Sequence, residues 1–363
     1  MKLPYKILII LLAVPMLVVA NENPKFKGKY TKTKTLNKEY SVNAEASLYV
    51  NNSYGNIDVV TWNENRVVIE VVITTNGDNE EKVQKKLDNI TVDFVGTPSK
   101  VSAKTIFKDK KGSSWSWWGK GDNKVKMEIN YTIKIPVTNS VDLNNDYGAI
   151  NINELDGHAK LNCDYGQINA GSLNADNNSL NFDYTKNSTI GYMKSGKINA
   201  DYSGFALEET ERLQLNADYS HADIGEVKDL NYNCDYGKLI VGKAGNIMGR
   251  GDYIPLKVGT LMGDMNLNSD YGSITVERIA GSAGDITISS DYAGIKLGYE
   301  NGYNFDFVLD LSYASFNGKE GLEITKSSKD HSQKFYSGYH GSKNSGNTIN
   351  INSDYGGVTF KKY

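Results

Sequence analysis

Cysteine and histidine are scarce, two and four in 363 residues. Two cysteines exclude a disulfide-stapled scaffold, and so few histidines leave little material for a zinc site. No charge sign dominates either. The 40 basic and 43 acidic side chains give a net charge of −3, which excludes a nucleic-acid binder that works by neutralising phosphates. No run of about 18 apolar residues follows residue 20, so no later segment is expected to span a membrane as a helix. Phosphate-binding glycine loops, zinc spacings and nucleophile elbows are missing as well, and no cofactor is expected. What is plentiful is glycine, 35 residues, and tyrosine, 24, against only 6 prolines. Such a bias marks repeats.

Residues 1–20 carry Lys2 and Lys6, an apolar run from Ile7 to Val14, and Val18-Val19-Ala20 before a polar stretch. This is the pattern of a cleaved signal peptide, and it predicts an exported, soluble mature chain, periplasmic or at the cell surface. No cysteine near the cut offers a lipid anchor.

Internal repetition decides the fold. Asp-Tyr-Gly and its variants recur with tyrosines at 147, 165, 184, 202, 219, 236, 253, 271, 292, 313 and 355, and an outlying copy at Tyr54. Spacings run from 17 to 21, and the last, 42, is twice 21 and implies one degenerate copy. Four residues before the tyrosine the column is apolar (Leu143, Leu161, Leu180, Ile198, Leu215). Apolar columns recur three residues after it (Ile150, Ile168, Leu239, Ile274) and five after it (Ile152, Leu207, Val241, Val276). Apolar positions alternate as in strands on each side, and the phase slips by one residue at the tyrosine. A corner is expected there, with Gly148, Gly166, Gly237, Gly272 and Gly356 supplying positive φ. A unit this short cannot bury its own apolar face, so the prediction is an all-β fold, a β-solenoid of stacked 17–21-residue coils. At about 4.8 Å per coil the stack is roughly 50 Å long.

Two polar columns lie on the opposite face. Three before the tyrosine, Asn fills nine of twelve copies, and one before it Asp fills ten. Asn amides can bond from coil to coil. The Asp carboxylates can accept backbone N–H groups of the turn, or, in a second reading, hold Ca²⁺ between coils. Cys163 and Cys234 share one column four copies apart, which is about 19 Å in a stack and beyond disulfide reach. Both are expected to be free and to face inward.

Residues 21–140 read as a β-rich module capping the first coil, with strands expected at 46–50, 56–60, 67–74, 90–95, 101–107 and 124–135 and one short helix at 78–87. The solenoid is expected over 141–363, with a long excursion near 327–347. A hairpin is expected across 107–125, its tip holding Trp115, Trp117 and Trp118 among Lys110, Lys111, Lys120 and Lys124. Exposed tryptophan in a loop is costly unless used. Trp115, Trp117, Trp118 and Lys120 are therefore the candidate binding residues, for glycan stacking, membrane-interface insertion or a protein contact. The competing reading folds the indoles back on the module's own sheet. His158 and His221 stand alone in their coils. His331 and His340 flank KFYSGY without the paired carboxylates of acid–base catalysis. Arg250-Gly251-Asp252 fills the repeat frame and is a chance match to a recognition tripeptide.

The leader, the strand YTIKIPVTNSVDL and the coils NDYGAINI, CDYGQINA and SDYGSITV together resemble the putative-adhesin (β-strand-repeat) family of exported bacterial proteins, over about residues 40–363. That resemblance implies a surface or envelope interaction protein and carries no functional residues with it. The expected function is non-enzymatic and adhesin-like, with a glycan, envelope or protein surface as partner and no nucleic acid. The alternatives are a structural envelope scaffold without a dedicated ligand, and a polysaccharide-acting enzyme.

Overall fold

The computed structural model describes residues 26–108 and 125–363. Over these residues the chain is all-β apart from one helix, Glu80–Asp88, and its 27 strands join in one hydrogen-bonded network. The reason is visible in a single strand. Ala159–Asp164 buries Ala159, Leu161 and Cys163 and turns Lys160, Asn162 and Asp164 outward. It pairs in parallel with Ser140–Asp146 on one side and Asn178–Asp183 on the other. Leu161 lies beside Leu143 and Leu180, Asn162 beside Asn144 and Asn181, and Asp164 beside Asp146 and Asp183. The columns of the sequence are thus rows in space. The same register continues through the long strands Gly204–Asp218 and His221–Asp235, where Asn216 meets Asn233 and Asp218 meets Asp235. Ser47–Ser53 brings the outlying Tyr54 copy into the same stack, with Asn51 against Asn144.

The corner differs from expectation. The positive φ falls on the tyrosines themselves, 50° to 67° in all twelve copies, and not on the glycines that follow. Ten of the tyrosine N–H groups donate to the carbonyl of the aspartate one copy on, as from Tyr147 to Asp164 at 2.9 Å and from Tyr219 to Asp235 at 2.9 Å, while Tyr355 donates to Ser312 and Tyr313 to Ser332. The glycines are required by proximity instead. A Cβ on Gly166 would strike the backbone oxygen of Gly148, and one on Gly237 that of Ser220. Where Ser203 or Ser220 replaces glycine, its hydroxyl donates inward to the carbonyl of Phe182 or Ala200.

The carboxyl-terminal end departs from chain order. Thr348–Asp354 pairs in parallel with Ile286–Asp291 on one edge and with Phe305–Ser312 on the other. The Tyr355 copy therefore lies between those of Tyr292 and Tyr313, and no degenerate copy exists in the 42-residue gap. That gap holds a hairpin, Glu323–Asp330 with Gln333–His340, whose second strand covers Phe305–Ser312 antiparallel. Its outer strand is exposed throughout, carries Lys326, Lys329 and Asp330, and shifts register between Ile324 and Lys326. These devices blunt a sheet edge.

At the other end, Ser47–Ser53 pairs in parallel with Lys100–Phe107, which pairs antiparallel with Ile90–Thr97. Ile57–Trp62 pairs in parallel with Lys126–Pro136, which is followed antiparallel by Arg66–Gly77 and then Tyr30–Ser41. The strands on either side of 108–125 thus pair with different partners and do not form the expected hairpin. The helix arises where its charges predict. Asn79 accepts from the Lys82 N–H at 2.9 Å, Glu80 and Glu81 sit in the first turn, Lys85 and Lys86 in the last, and Val83 and Leu87 are buried. Cys163 and Cys234 are free and buried, and burial pushes both thiols up to about 12.

Candidate functional site

Trp115, Trp117, Trp118 and Lys120 lie outside the described residues. The dominant surface feature lies elsewhere and was passed over in the sequence, where the tyrosines served only to align the copies. From Tyr54 to Tyr313 the twelve corner rings stack in one row, in the order 54, 147, 165, 184, 202, 219, 236, 253, 271, 292, 355, 313. Successive centroids are 4.7 to 5.3 Å apart and ring planes agree within 8°. Eleven of the rings remain 46–65% exposed. At the first end Phe107 stands edge-on to Tyr54, with centroids 6.2 Å apart. The signal for this row was present. Residues at one repeat position, displayed outward, must stack when the copies pair in register.

The left-handed backbone costs a non-glycine residue about 1–2 kcal/mol. One stacked contact per copy returns about 0.5–1.5 kcal/mol beyond area burial. For the turn alone, glycine would serve at least as well. The rings are what glycine lacks, and eleven of the twelve residues stay about half-exposed.

Beside them runs the aspartate row. Its carboxylates reach along the stack rather than into their own turns. Asp218 accepts from the Asp235 N–H at 3.2 Å, Asp235 from that of Asp252 at 2.8 Å, and Asp270 from that of Asp291 at 2.8 Å. Asp252, of the Arg250-Gly251-Asp252 tripeptide, belongs to this row. Burial, then the neighbouring carboxylates Asp183 and Asp146, raise Asp164 above the ordinary 3.8. Asp218 is raised by burial with Asp235 and Asp201 beside it, and Asp291 by burial with Asp270 and Asp354.

The asparagine row bonds to itself as its type predicts. Asn162 donates to Asn144 at 2.7 Å, Asn181 to Asn162 at 2.7 Å, and Asn216 to Asn199 at 2.8 Å. The histidines are dispersed. His340 is buried, with Nδ1 2.8 Å from the Tyr303 carbonyl and its ring against Tyr299 and Phe305. His331 is at the exposed hairpin turn beside Asp330. His158 Nε2 is 2.8 Å from the Asn177 carbonyl. Among the described residues no group of three His, Cys, Asp or Glu side chains is placed to hold a metal ion, and no helix is long and apolar enough to cross a membrane.

No family model and no curated protein matches the chain. Solved structures are similar to it at low identity. A "putative cell adhesion protein" of Clostridium sporogenes shares 9% identity over 92% of this chain and 100% of that one, with a TM-score of 0.21. A "putative adhesin" of Bacteroides fragilis shares 10% over 91% and 97%, with a TM-score of 0.22. A "putative lipid binding protein" of Parabacteroides distasonis shares 9% over 90% and 96%, with a TM-score of 0.30. Likeness at this level carries no argument about activity, which has to come from the surface itself.

Proposed function

We propose that this chain is an exported, non-enzymatic β-solenoid acting as an adhesin-like interaction protein of the cell envelope, with the exposed tyrosine row as its contact surface. The observation that carries the reading is the stack of twelve rings, eleven of them on half-exposed residues, held at a backbone conformation that glycine would adopt more cheaply. Exposed aromatic surface on this scale marks an interaction site. Export is supported by residues 1–20, and the solenoid by the parallel, in-register pairing of like residues copy after copy. The division follows the same lines, with a capping module over 21–140 and the repeat over 141–363. The repeated rows offer one chemistry many times, which suits adhesion along a surface better than the convergence of unlike groups that catalysis needs. Trp115, Trp117, Trp118 and Lys120 are carried as a second candidate contact on sequence grounds alone, three tryptophans in one polar, lysine-rich stretch.

A second reading, the scaffold without a ligand, is favoured by the rings' use of their faces on one another. One variant separates the two. Replacing Tyr202, Tyr219 and Tyr236 together by Gly keeps the turns and removes three rings. Binding of the purified full chain to intact bacteria and to envelope fractions is expected to fall at least tenfold with the fold intact. Unchanged binding by the folded variant leaves the scaffold reading.

A further inference from the structure

Away from the tyrosine row, seven successive copies leave a trough of about 910 Å³ that crosses their strands. Its length is roughly 30 Å, six steps at the strand spacing. Between its walls runs the backbone at Leu213, Leu230, Ile247 and Met265, whose side chains are buried on the core side. One wall is formed by residues seven before each tyrosine, and its polar groups are already engaged. Arg212 pairs with Asp176 at 2.8 Å, Asn246 donates to Asp229 at 2.8 Å, and the Asp264 and Asp285 N–H groups are bound at 2.9 Å by Asn246 and Asp264.

The other wall is formed by residues five before each tyrosine: Ser179, Lys197, Gln214, Asn231, Met248, Asn266 and Thr287. Among the described residues the polar side chains of this wall have no hydrogen-bond or ion-pair partner. The asparagine row, two residues along the same strands, differs, since its like amides stack in register and bond to each other. This wall presents a series of free donors and acceptors to solvent.

We propose that the trough binds a linear, uncharged polysaccharide lying along the stacking direction. Sugar hydroxyls donate and accept, as do the amides and hydroxyls of the free wall, and the exposed Met248 offers apolar surface to a ring face. The charges count against polyelectrolytes of either sign. Lys197 and Arg212 stand at one end and Asp229, Asp264 and Asp285 toward the other, so neither a polyanion nor a polycation meets a field of one sign. The apolar surface is too small for a membrane. This site goes beyond the tyrosine row and stands independently of it.

The test is calorimetric titration of the full chain with cellohexaose, xylohexaose and mannohexaose, and with the matching disaccharides. At least one hexasaccharide is expected to bind, its disaccharide at least tenfold more weakly. The combined substitution of Gln214, Asn231 and Asn266 by Ala is expected to weaken binding at least tenfold at unchanged Tm. Asn231→Trp, which fills the trough from an exposed position, is expected to do the same, and the triple tyrosine variant to bind as wild type. Absence of binding by every hexasaccharide overturns the proposal. So does undiminished binding by the Ala and Trp variants, tighter binding of an oligogalacturonate, or loss of binding in the tyrosine variant.

Discussion

The corner of each copy and the outer face of its strands are built on the same repeat, yet they hold together differently. At the corner, a left-handed tyrosine and the residue after it leave no slack. In glycine copies a Cβ would meet the backbone of the neighbour. On the face, side chains point to solvent and are tied by amide bonds and ion pairs between copies. The corner is a matter of steric fit and the face a matter of side-chain chemistry. It follows that the corner sets where the chain bends, and the face is free to vary. The tyrosine ring is the exception, a face-like group fixed on the corner.

The largest effect should come from breaking the corner's fit. Gly166→Ala forces a Cβ against the Gly148 carbonyl and is expected to cost about 1–3 kcal/mol, as overpacking does. Urea unfolding measures it, and a loss below about 0.5 kcal/mol, typical of a surface change, would dissolve the distinction.

Next comes the ring. Tyr236→Ala loses two stacked contacts and keeps the left-handed strain, for about 1–3 kcal/mol. Tyr236→Gly loses the same contacts but relieves the backbone, so it should be the more stable of the two by about 1 kcal/mol. Equal stabilities would mean that the backbone strain is not there.

On the face, Asn181→Ala removes one bond on each side, to Asn162 and Asn199, and should cost about 1 kcal/mol. Asn231→Ala, five before its tyrosine and without partners, should stay within about 0.5 kcal/mol. Thermal denaturation of the two variants side by side tests whether the two rows differ.

The smallest effect concerns pH and the aspartates beside the rings. Asp164, Asp218 and Asp291 have raised values, so the folded chain holds these protons more tightly than the unfolded chain. Their contribution to stability is gained as pH falls from neutrality through the raised values toward 3.8, and lost as pH rises again. Asp176 works in the opposite sense. The Lys194 ammonium and the Ser195 hydroxyl hold it below 3.8, and its contribution is lost as pH falls through that lowered value. Asn at the three raised positions should raise Tm slightly at pH 7 and remove that part of the acid-side gain. A lower Tm at pH 7 would contradict the assignment.

Much of this was legible in the residues, because a repeat places each residue beside its own kind. Strand alternation, the free cysteines, the asparagine bonds and the helix at Glu80–Asp88 all follow from local pattern. Three things did not. Positive φ was assigned to glycine by its general permissiveness, although Thr185 and Ile254 stand at the same position in other copies, and β-branched residues do not adopt it. The place of the Tyr355 copy is decided by long-range pairing, and a hairpin of suitable length imitated a missing repeat. The polar strand Tyr30–Ser41 has no apolar period to announce it, because it lies over the end of the sheet and pairs on one edge only.

The measurement that bears most directly on function is the binding of the full chain to intact bacteria, wild type against the variant with Gly at 202, 219 and 236, with Tm recorded for both. An exposed contact row predicts at least a tenfold loss of binding by a folded variant. Equal binding by two folded proteins would contradict it.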